Sequence, residues 1–405
     1  MKKLFRSPGM KAFSNTIKGL MFFLMLLGIA SPVPGKAESG MPDSSKFGYG
    51  ARIDPWGQEI ETALNAASEA RLDWIGIDFD WGRHWPDLNS SLNLAGLSRV
   101  MSYASDHDLM VLISIIHAPS WALTPQGPDP DLTAGLVAQL SRLYPDTLLA
   151  VELFPSANTV RGWGAVPDPE AYSELLKVTA RTLDNAGRPT VLVAAGLEPV
   201  LAGGSNQVGS SRQDMDDLVF LQSLYDAGAG NYLQIIGVRI PQTAQAPLAP
   251  PWKADPRVLR HYESVRGIML SNHHSEGRIW ITGFSMPGEQ TADINSASKS
   301  IPSNANPAVN EQVRWFNQAM SLMKSQLYIG AVFYGCMNPT AKDIPGKMNP
   351  ACFIEADNPI VKFHAAFQSL EQIISLEKSG TLNTTAFEKR SSPIDSKNLL
   401  KASAP

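Results

Sequence analysis

The sequence predicts an α/β protein built as a single (β/α)8 barrel, the TIM-barrel architecture. Three observations carry that expectation. Eight short apolar runs alternate with eight amphipathic segments along the chain, and eight strand-then-helix units are the number that closes a parallel barrel. Most of the runs are continuously apolar, as strands covered on both faces require. The loop after the first run reads Ile53-Asp54-Pro55-Trp56-Gly57. It has no G-x-G-x-x-G, which an open doubly wound sheet, the alternative, would normally place there.

In chain order, the candidate strand Phe47–Asp54 precedes a helical pattern over Gln58–Arg71, and Trp74–Trp81 precedes Leu92–Asp106. Leu109–His117 leads to Asp131–Leu143, and Leu148–Phe154 to Pro169–Ala186. Thr190–Leu197 is followed by Asp214–Asp226, and Leu233–Ile240 by Pro256–Ser271. The last two units are Arg278–Phe284 with Pro307–Lys324, and Tyr328–Gly335 with Pro359–Leu376. Several helices open on Asp-Pro or Asn-Pro, an N-cap followed by proline at the first helical position.

The flanks read differently. Lys2, Lys3, Arg6, Lys11 and Lys18 precede the apolar stretch Gly19–Ala30, and Gly35-Lys36-Ala37 offers small residues at −3 and −1. Residues 1–37 therefore read as an export signal cleaved after Ala37. A retained anchor is the alternative, but twelve apolar residues fall short of the roughly 20 needed to span a bilayer. Residues 38–45 read as a linker, 46–376 as the barrel and the polar 377–405 as a disordered tail.

Composition closes off several classes. The 405 residues are 44% hydrophobic and 18% charged, which excludes a disordered chain. A formal charge of −4 provides no basic field for nucleic acid. The two cysteines, Cys336 and Cys352, lie 16 residues apart in the part expected to be exported. A disulfide between them fits an oxidising compartment; two unpaired buried thiols are the alternative. His117, His273 and His274 form no metal-ligand set, and no G-x-S-x-G elbow or P-loop is present, so no metal or cofactor is expected. The sequence carries no signature of an oligomeric state.

A barrel enzyme keeps its site at the C-terminal ends of its strands. Here those ends carry Trp56, Trp81, Trp85, Trp121, Trp163, Phe284 and Tyr334. Rings above a barrel mouth suit saccharides, whose C–H faces are apolar while their hydroxyls need polar partners. The alternative for each ring is burial beneath the loops.

Several runs resemble the clan A glycoside hydrolases, retaining barrel enzymes that include cellulases and β-xylosidases. Trp74-Ile-Gly-Ile-Asp-Phe-Asp-Trp81 is similar to their second strand, and Leu112–Ala122, ending Pro-Ser-Trp-Ala, to the third. Val151–Asn158 with Trp163 resembles the fourth, Val193–Pro199 the fifth and Ile279–Ser285 the seventh. Over roughly residues 47–372 the motifs run in register.

The resemblance also locates departures. Retaining glycosidases place an acid/base and a nucleophilic carboxyl about 5–5.5 Å apart. The position matching the acid/base glutamate is Ser156, and that matching the nucleophile is Gly283. Gly76 stands where the second strand usually carries arginine, and Arg239 where the sixth usually carries histidine. A serine hydroxyl cannot donate a proton as a carboxylic acid does, and glycine has nothing to attack with. The resemblance thus implies a degenerate, non-catalytic, exported glycosidase-like protein that binds oligo- or polysaccharide. Trp81, Trp121, Trp163 and Tyr334 would stack on sugar, and Asp80, Asn158 and Arg239 would hold hydroxyls. Two alternatives stay open. One is an active glycoside hydrolase with relocated carboxylates, for which Asp78, Asp80, Glu152, Glu198 and Glu289 are the candidates. The other is a protein-interaction module whose cleft is plugged by Arg239 and the proline-rich segment Pro241–Trp252.

Overall fold

The structure, a computed structural model, describes residues 46–187, 190–200, 213–240, 245–251, 257–285, 307–339, 352–357 and 360–379. The expected signal segment, the linker, Glu289 and the chain beyond residue 379 lie outside these residues. The eight expected strands close into one parallel barrel, each end within two residues of its expected place. They are β1 (Gly48–Arg52), β2 (Trp74–Asp80), β3 (Met110–Ile116), β4 (Leu148–Leu153), β5 (Val191–Leu197), β6 (Ile235–Ile240), β7 (Arg278–Phe284) and β8 (Ile329–Tyr334). Sequential staves pair with one another, and β8 returns to pair with β1.

The helices on the outside are α1 (Ile60–Glu69), α2 (Ala95–Asp106), α3 (Pro130–Leu143), α4 (Pro169–Asn185), α5 (Asp217–Asp226), α6 (His261–Ser271), α7 (Pro307–Lys324) and α8 (Ala365–Lys378). Asp129, Asp168 and Asp216 cap α3, α4 and α5, each side chain accepting two first-turn N–H groups. Such a cap stabilises a helix by about 1 kcal/mol.

Two helices depart from the sequence reading. α6 starts only at His261, because residues 258–260 form a turn that tucks Val258 and Leu259 into the core. Before α8, the segment Ile360–Phe363 is a strand paired antiparallel with Ile354–Asp357, as the β-branched Ile360-Val361 favours. His364 then caps α8, its side chain accepting the Ala366 N–H. α8 runs on to Lys378, into the stretch read as tail. There the Tyr49 hydroxyl donates to Glu377 at 2.6 Å and Lys378 Nζ to Asp73 at 2.9 Å.

The barrel interior is layered. Toward the N-terminal ends Trp74, Leu112, Trp280 and Phe333 form an apolar cluster of their own. Toward the C-terminal ends the lining becomes polar. The register Asp78↔Ser114 and Ser114↔Glu152 puts three polar side chains at one level on β2, β3 and β4. The main core lies outside the staves, between them and the helices.

Candidate functional site

The polar layer is a closed ion network. Glu152, fully buried, accepts from Ser114 Oγ, from Thr282 Oγ1 at 2.7 Å, from the Gly196 N–H at 3.0 Å and from Arg239 Nη2 at 3.3 Å. Arg52 donates through Nη2 to Asp78 at 2.6 Å and to Ser114 Oγ at 3.1 Å, and through Nη1 to the Thr282 carbonyl at 2.7 Å. Arg239 Nη2 also donates to Asp78 at 2.8 Å. Two guanidinium groups thus face two carboxylates with no net charge, the condition under which a low-dielectric interior tolerates ions. Burial pushes the Asp78 carboxyl up, but Arg239 and Arg52 outweigh it and hold it well below the usual carboxylate range. Burial acts the other way on Arg239, and Asp78 with Glu152 reverses it, so its guanidinium holds its proton more tightly than usual.

Arg52 is the site residue that the sequence reading missed. It is the register partner of Gly76. A Cβ at Gly76 would stand 3.2 Å from Arg52 Nη1 and 3.3 Å from its Cγ, so the bare glycine is what lets the β1 arginine fold across β2. The cation expected on the second strand is present, supplied by the neighbouring stave. A glycine in register with an inward-facing arginine was the available signal.

Above the network, at the C-terminal ends of β1, β2 and β8, opens a cleft of about 200 Å3 lined by Asp54, Trp56, Asp78, Asp80, Arg83 and Asn338 among others. Asp80 accepts the Arg83 N–H at 2.9 Å and pairs with His117 Nδ1 at 3.0 Å. Partial burial raises its carboxyl, but these contacts bring it below the usual range. His84 stacks on Trp56 with ring centroids 3.7 Å apart, and burial with Arg83 lowers its imidazole. Cys336 lines the same cleft and is disulfide-bonded to Cys352, as the sequence suggested. Burial and the neighbouring Glu69 raise the carboxyl of Glu371, which lies away from the cleft on the outer helix α8. No group of His, Cys, Asp and Glu among the described residues is arranged to hold a metal.

The structure brings Asp80 and Arg239 to the mouth but distributes the other expected contacts elsewhere. Trp81, Trp163 and Tyr334 are fully buried and offer no stacking face. Trp81 lies edge-on beneath Trp121, Trp163 packs on Phe154 and Tyr172, and Tyr334 stacks on Phe353 at 3.7 Å. Asn158 is fully buried and spends its amide on the chain, donating to the Glu198 and Met215 carbonyls and accepting the Glu198 N–H. It positions the end of β5 and leaves no group for a sugar hydroxyl. Trp121 is half-buried, with its N–H on the Trp85 carbonyl at 3.1 Å. The aromatic ring that lines the cleft is Trp56.

Ser156 and Gly283 stand where the resemblance would place the two catalytic carboxyls. Ser156 has φ 64, a left-handed backbone costly for any side chain except glycine, asparagine or aspartate. Its N–H donates to the Gly196 carbonyl at 2.9 Å. A Cβ at Gly283 would meet Arg52 Cδ at 3.7 Å and Arg239 Cγ at 3.9 Å, ordinary contact distances. Asp78 and Glu152 bond to the same Arg239 Nη2 at 2.8 and 3.3 Å, so their carboxyls are no more than about 6 Å apart. The exposed Glu198 lies at the end of β5. Residues 241–244 and 252 of the proline-rich segment lie outside the described residues. Of the rest, Gln245 accepts the Trp315 N–H at 2.8 Å, placing it against α7.

No family model matches the chain, and no curated protein matches it either. Solved structures do. A family 39 glycoside hydrolase from the gut symbiont Bacteroides cellulosilyticus WH2 is similar at a TM-score of 0.58 and 16% identity, covering 84% of this chain and 66% of that one. The chain therefore spans just under two thirds of that protein. A β-glucosidase from Exiguobacterium marinum matches at a TM-score of 0.54 and 9% identity, over 82% of this chain and 98% of its own. The catalytic domain of a GH30 xylanase C from Talaromyces cellulolyticus matches at 0.51 and 12%, over 81% and 75%. The chain shares the closed eight-stranded barrel of these glycoside hydrolases.

Proposed function

We propose that the chain is an exported, glycosidase-like barrel that binds carbohydrate at its mouth without cleaving it. One observation carries the reading: Arg52, Asp78, Glu152 and Arg239 form a four-ion network at the barrel mouth in which both carboxylates are engaged by arginine. Glycosidic cleavage needs a carboxyl that holds its proton near neutrality beside a second, ionised one. Asp78 and Asp80, two of the acids lining the cleft, are both held below their usual range. The cleft itself suits a sugar ring. Trp56 offers an apolar surface, while Asp54, Asp78 and Asp80 accept hydroxyl protons and Arg83 donates. At about 200 Å3 it is smaller than the 300–1,000 Å3 of drug-sized sites, which favours a single ring or a chain end. The disulfide supports an oxidising compartment, and among the described residues no helix is long and apolar enough to cross a membrane.

A second reading rests on the spacing of Asp78 and Glu152, about 6 Å at most, which falls near glycosidase separations. Glu152 has no exposed surface, so substrate reaches only one member of the pair. A glycan array with the mature chain, run beside a panel of aryl glycosides, tests both. Binding without turnover, weakened at least tenfold by Trp56→Ala and by Asp80→Asn, is the expected result. Turnover abolished by Asp78→Asn or Glu152→Gln would overturn it.

A further inference from the structure

The barrel has a second opening. At its N-terminal end, opposite the cleft, lies a cavity of about 970 Å3, within the 300–1,000 Å3 range of small-molecule sites. Trp74 and Trp280 lie edge to face in it, with centroids 4.9 Å apart, and Met110, Val191 and Ile235 supply an aliphatic wall. Gly48 and Gly330 make room for the indoles. A Cβ at Gly48 would come within 2.8 Å of Trp74 Nε1, and one at Gly330 within 2.7 Å of Trp280 Nε1.

The two rings are only 3% and 6% exposed, yet neither indole N–H has a hydrogen-bond partner among the described residues. Unlike the Nε1 atoms of Trp56 and Trp81, they are not sealed from solvent, so the cavity is where an acceptor can reach them. The charged side chains of the lining balance, with Lys46, Arg278 and Lys378 set against Asp73, Glu276 and Glu377. Lys378 donates to Asp73, and Glu377 takes both the Tyr49 hydroxyl and Lys324. Arg278 is spent on the Leu327 carbonyl. His274 contacts the Tyr225 hydroxyl at 2.8 Å, and burial with Arg266 lowers its imidazole. The cavity therefore presents two idle donors and an apolar wall, and its lining carries no net charge to attract an ion.

We propose that this cavity binds a neutral amphiphile, whose hydroxyl or ether oxygens accept from the Trp74 and Trp280 N–H groups while an alkyl or aryl part lies along Met110, Val191 and Ile235. The proposal is independent of what the mouth binds. The test titrates the full chain, 15N-labelled at tryptophan, with tetraethylene glycol monooctyl ether, a neutral amphiphile without a sugar ring, below its micellar concentration. Trp74→Phe and Trp280→Phe assign the two indole N–H resonances. Those two signals are expected to shift and saturate, while the Trp56 and Trp121 signals stay in place. Trp280→Phe, which keeps an aromatic ring and deletes the donor, should weaken binding about fivefold, the worth of one neutral hydrogen bond. Val191→Trp should put an indole where the alkyl part would lie and weaken the response at least tenfold. Octanoate and octyltrimethylammonium should bind at least tenfold more weakly than the neutral ether. Shifts that never saturate, that spread equally to Trp56 and Trp121, or that persist unchanged in Trp280→Phe would overturn the site. Equal affinity for the charged amphiphiles would overturn its chemistry.

Discussion

Glu152→Ala isolates the claim that the mouth is held by ions rather than prepared for catalysis. In the native chain Glu152 is fully buried and accepts from Ser114, Thr282, Gly196 and Arg239. Truncation leaves two guanidinium groups with Asp78 as their one counter-ion and strands three further donors. Removing one partner of a buried ion pair costs about 3–5 kcal/mol. At about 2 °C per kcal/mol for a domain of this size, Tm should fall by roughly 6–10 °C. Glu152→Gln keeps the shape and an acceptor for the Gly196 N–H but loses the charge, so about 1.5–3 kcal/mol is expected. In Glu152→Leu with Arg239→Leu, the remaining pair, Arg52 with Asp78, is again neutral. The double variant should therefore be more stable than the sum of the singles by about 2 kcal/mol. Urea unfolding measures wild type, Glu152→Ala, Glu152→Gln, the two leucine singles and their double. A Glu152→Ala midpoint within about 1 kcal/mol of wild type, or additive singles, would refute the network as the organising element of the mouth.

Three further outcomes are expected. Gly283→Ala should be neutral or stabilising by up to about 1 kcal/mol in thermal unfolding, since its Cβ has room beside Arg52 and Arg239 and alanine restricts the unfolded chain; a loss above 2 kcal/mol would mean the position rejects any side chain. Acidification should destabilise the protein through Asp78, whose folded-state pKa lies below the usual range. Its contribution is complete above about pH 5 and is lost as pH falls below about 4, so the drop in urea midpoint between pH 7 and pH 3.5 should be smaller in Asp78→Asn than in wild type. Cys336→Ser with Cys352→Ser should cost about 3 kcal/mol, the chain-entropy value for a loop of 16 residues; an unchanged midpoint would remove the bond from the stabilising set.

The barrel was legible in the sequence because its signal is repeated eight times and each strand is apolar on both faces. The site was legible only in part. Ser156 and Gly283 stand out because a motif surrounds them, and Asp80 because it ends a strand. Trp81, Trp163 and Tyr334 were misread because an aromatic at a strand end looks the same whether it faces the cleft or lies under a loop; what separates them is the second layer of rings, Trp121, Tyr172 and Phe353, contributed from distant segments. Asn158 was misread for the same reason, since its partners Glu198 and Met215 lie 40 and 57 residues away. Arg52 required knowing the register of β1 against β2, which strand patterns alone do not set.

The same register predicts what a carboxylate at position 283 would do. Here two arginines stand beside that place, and both are already matched by Asp78 and Glu152. Gly283→Glu adds a third carboxylate to two cations and gives the layer a net negative charge, which a buried site resists. Gly283→Glu should therefore be less stable than Gly283→Ala at pH 7, and the gap should narrow as the pH is lowered and the added carboxyl takes up a proton. Asp78→Asn in the same chain should recover stability, because the new carboxylate then replaces the old one as counter-ion. A double-mutant cycle in urea reads the coupling directly, with Gly283→Glu and Asp78→Asn expected to rescue one another by about 1–3 kcal/mol. Additive effects would mean that the side chain at 283 turns away from the arginines, and the charge-matching account of the mouth would fail with them.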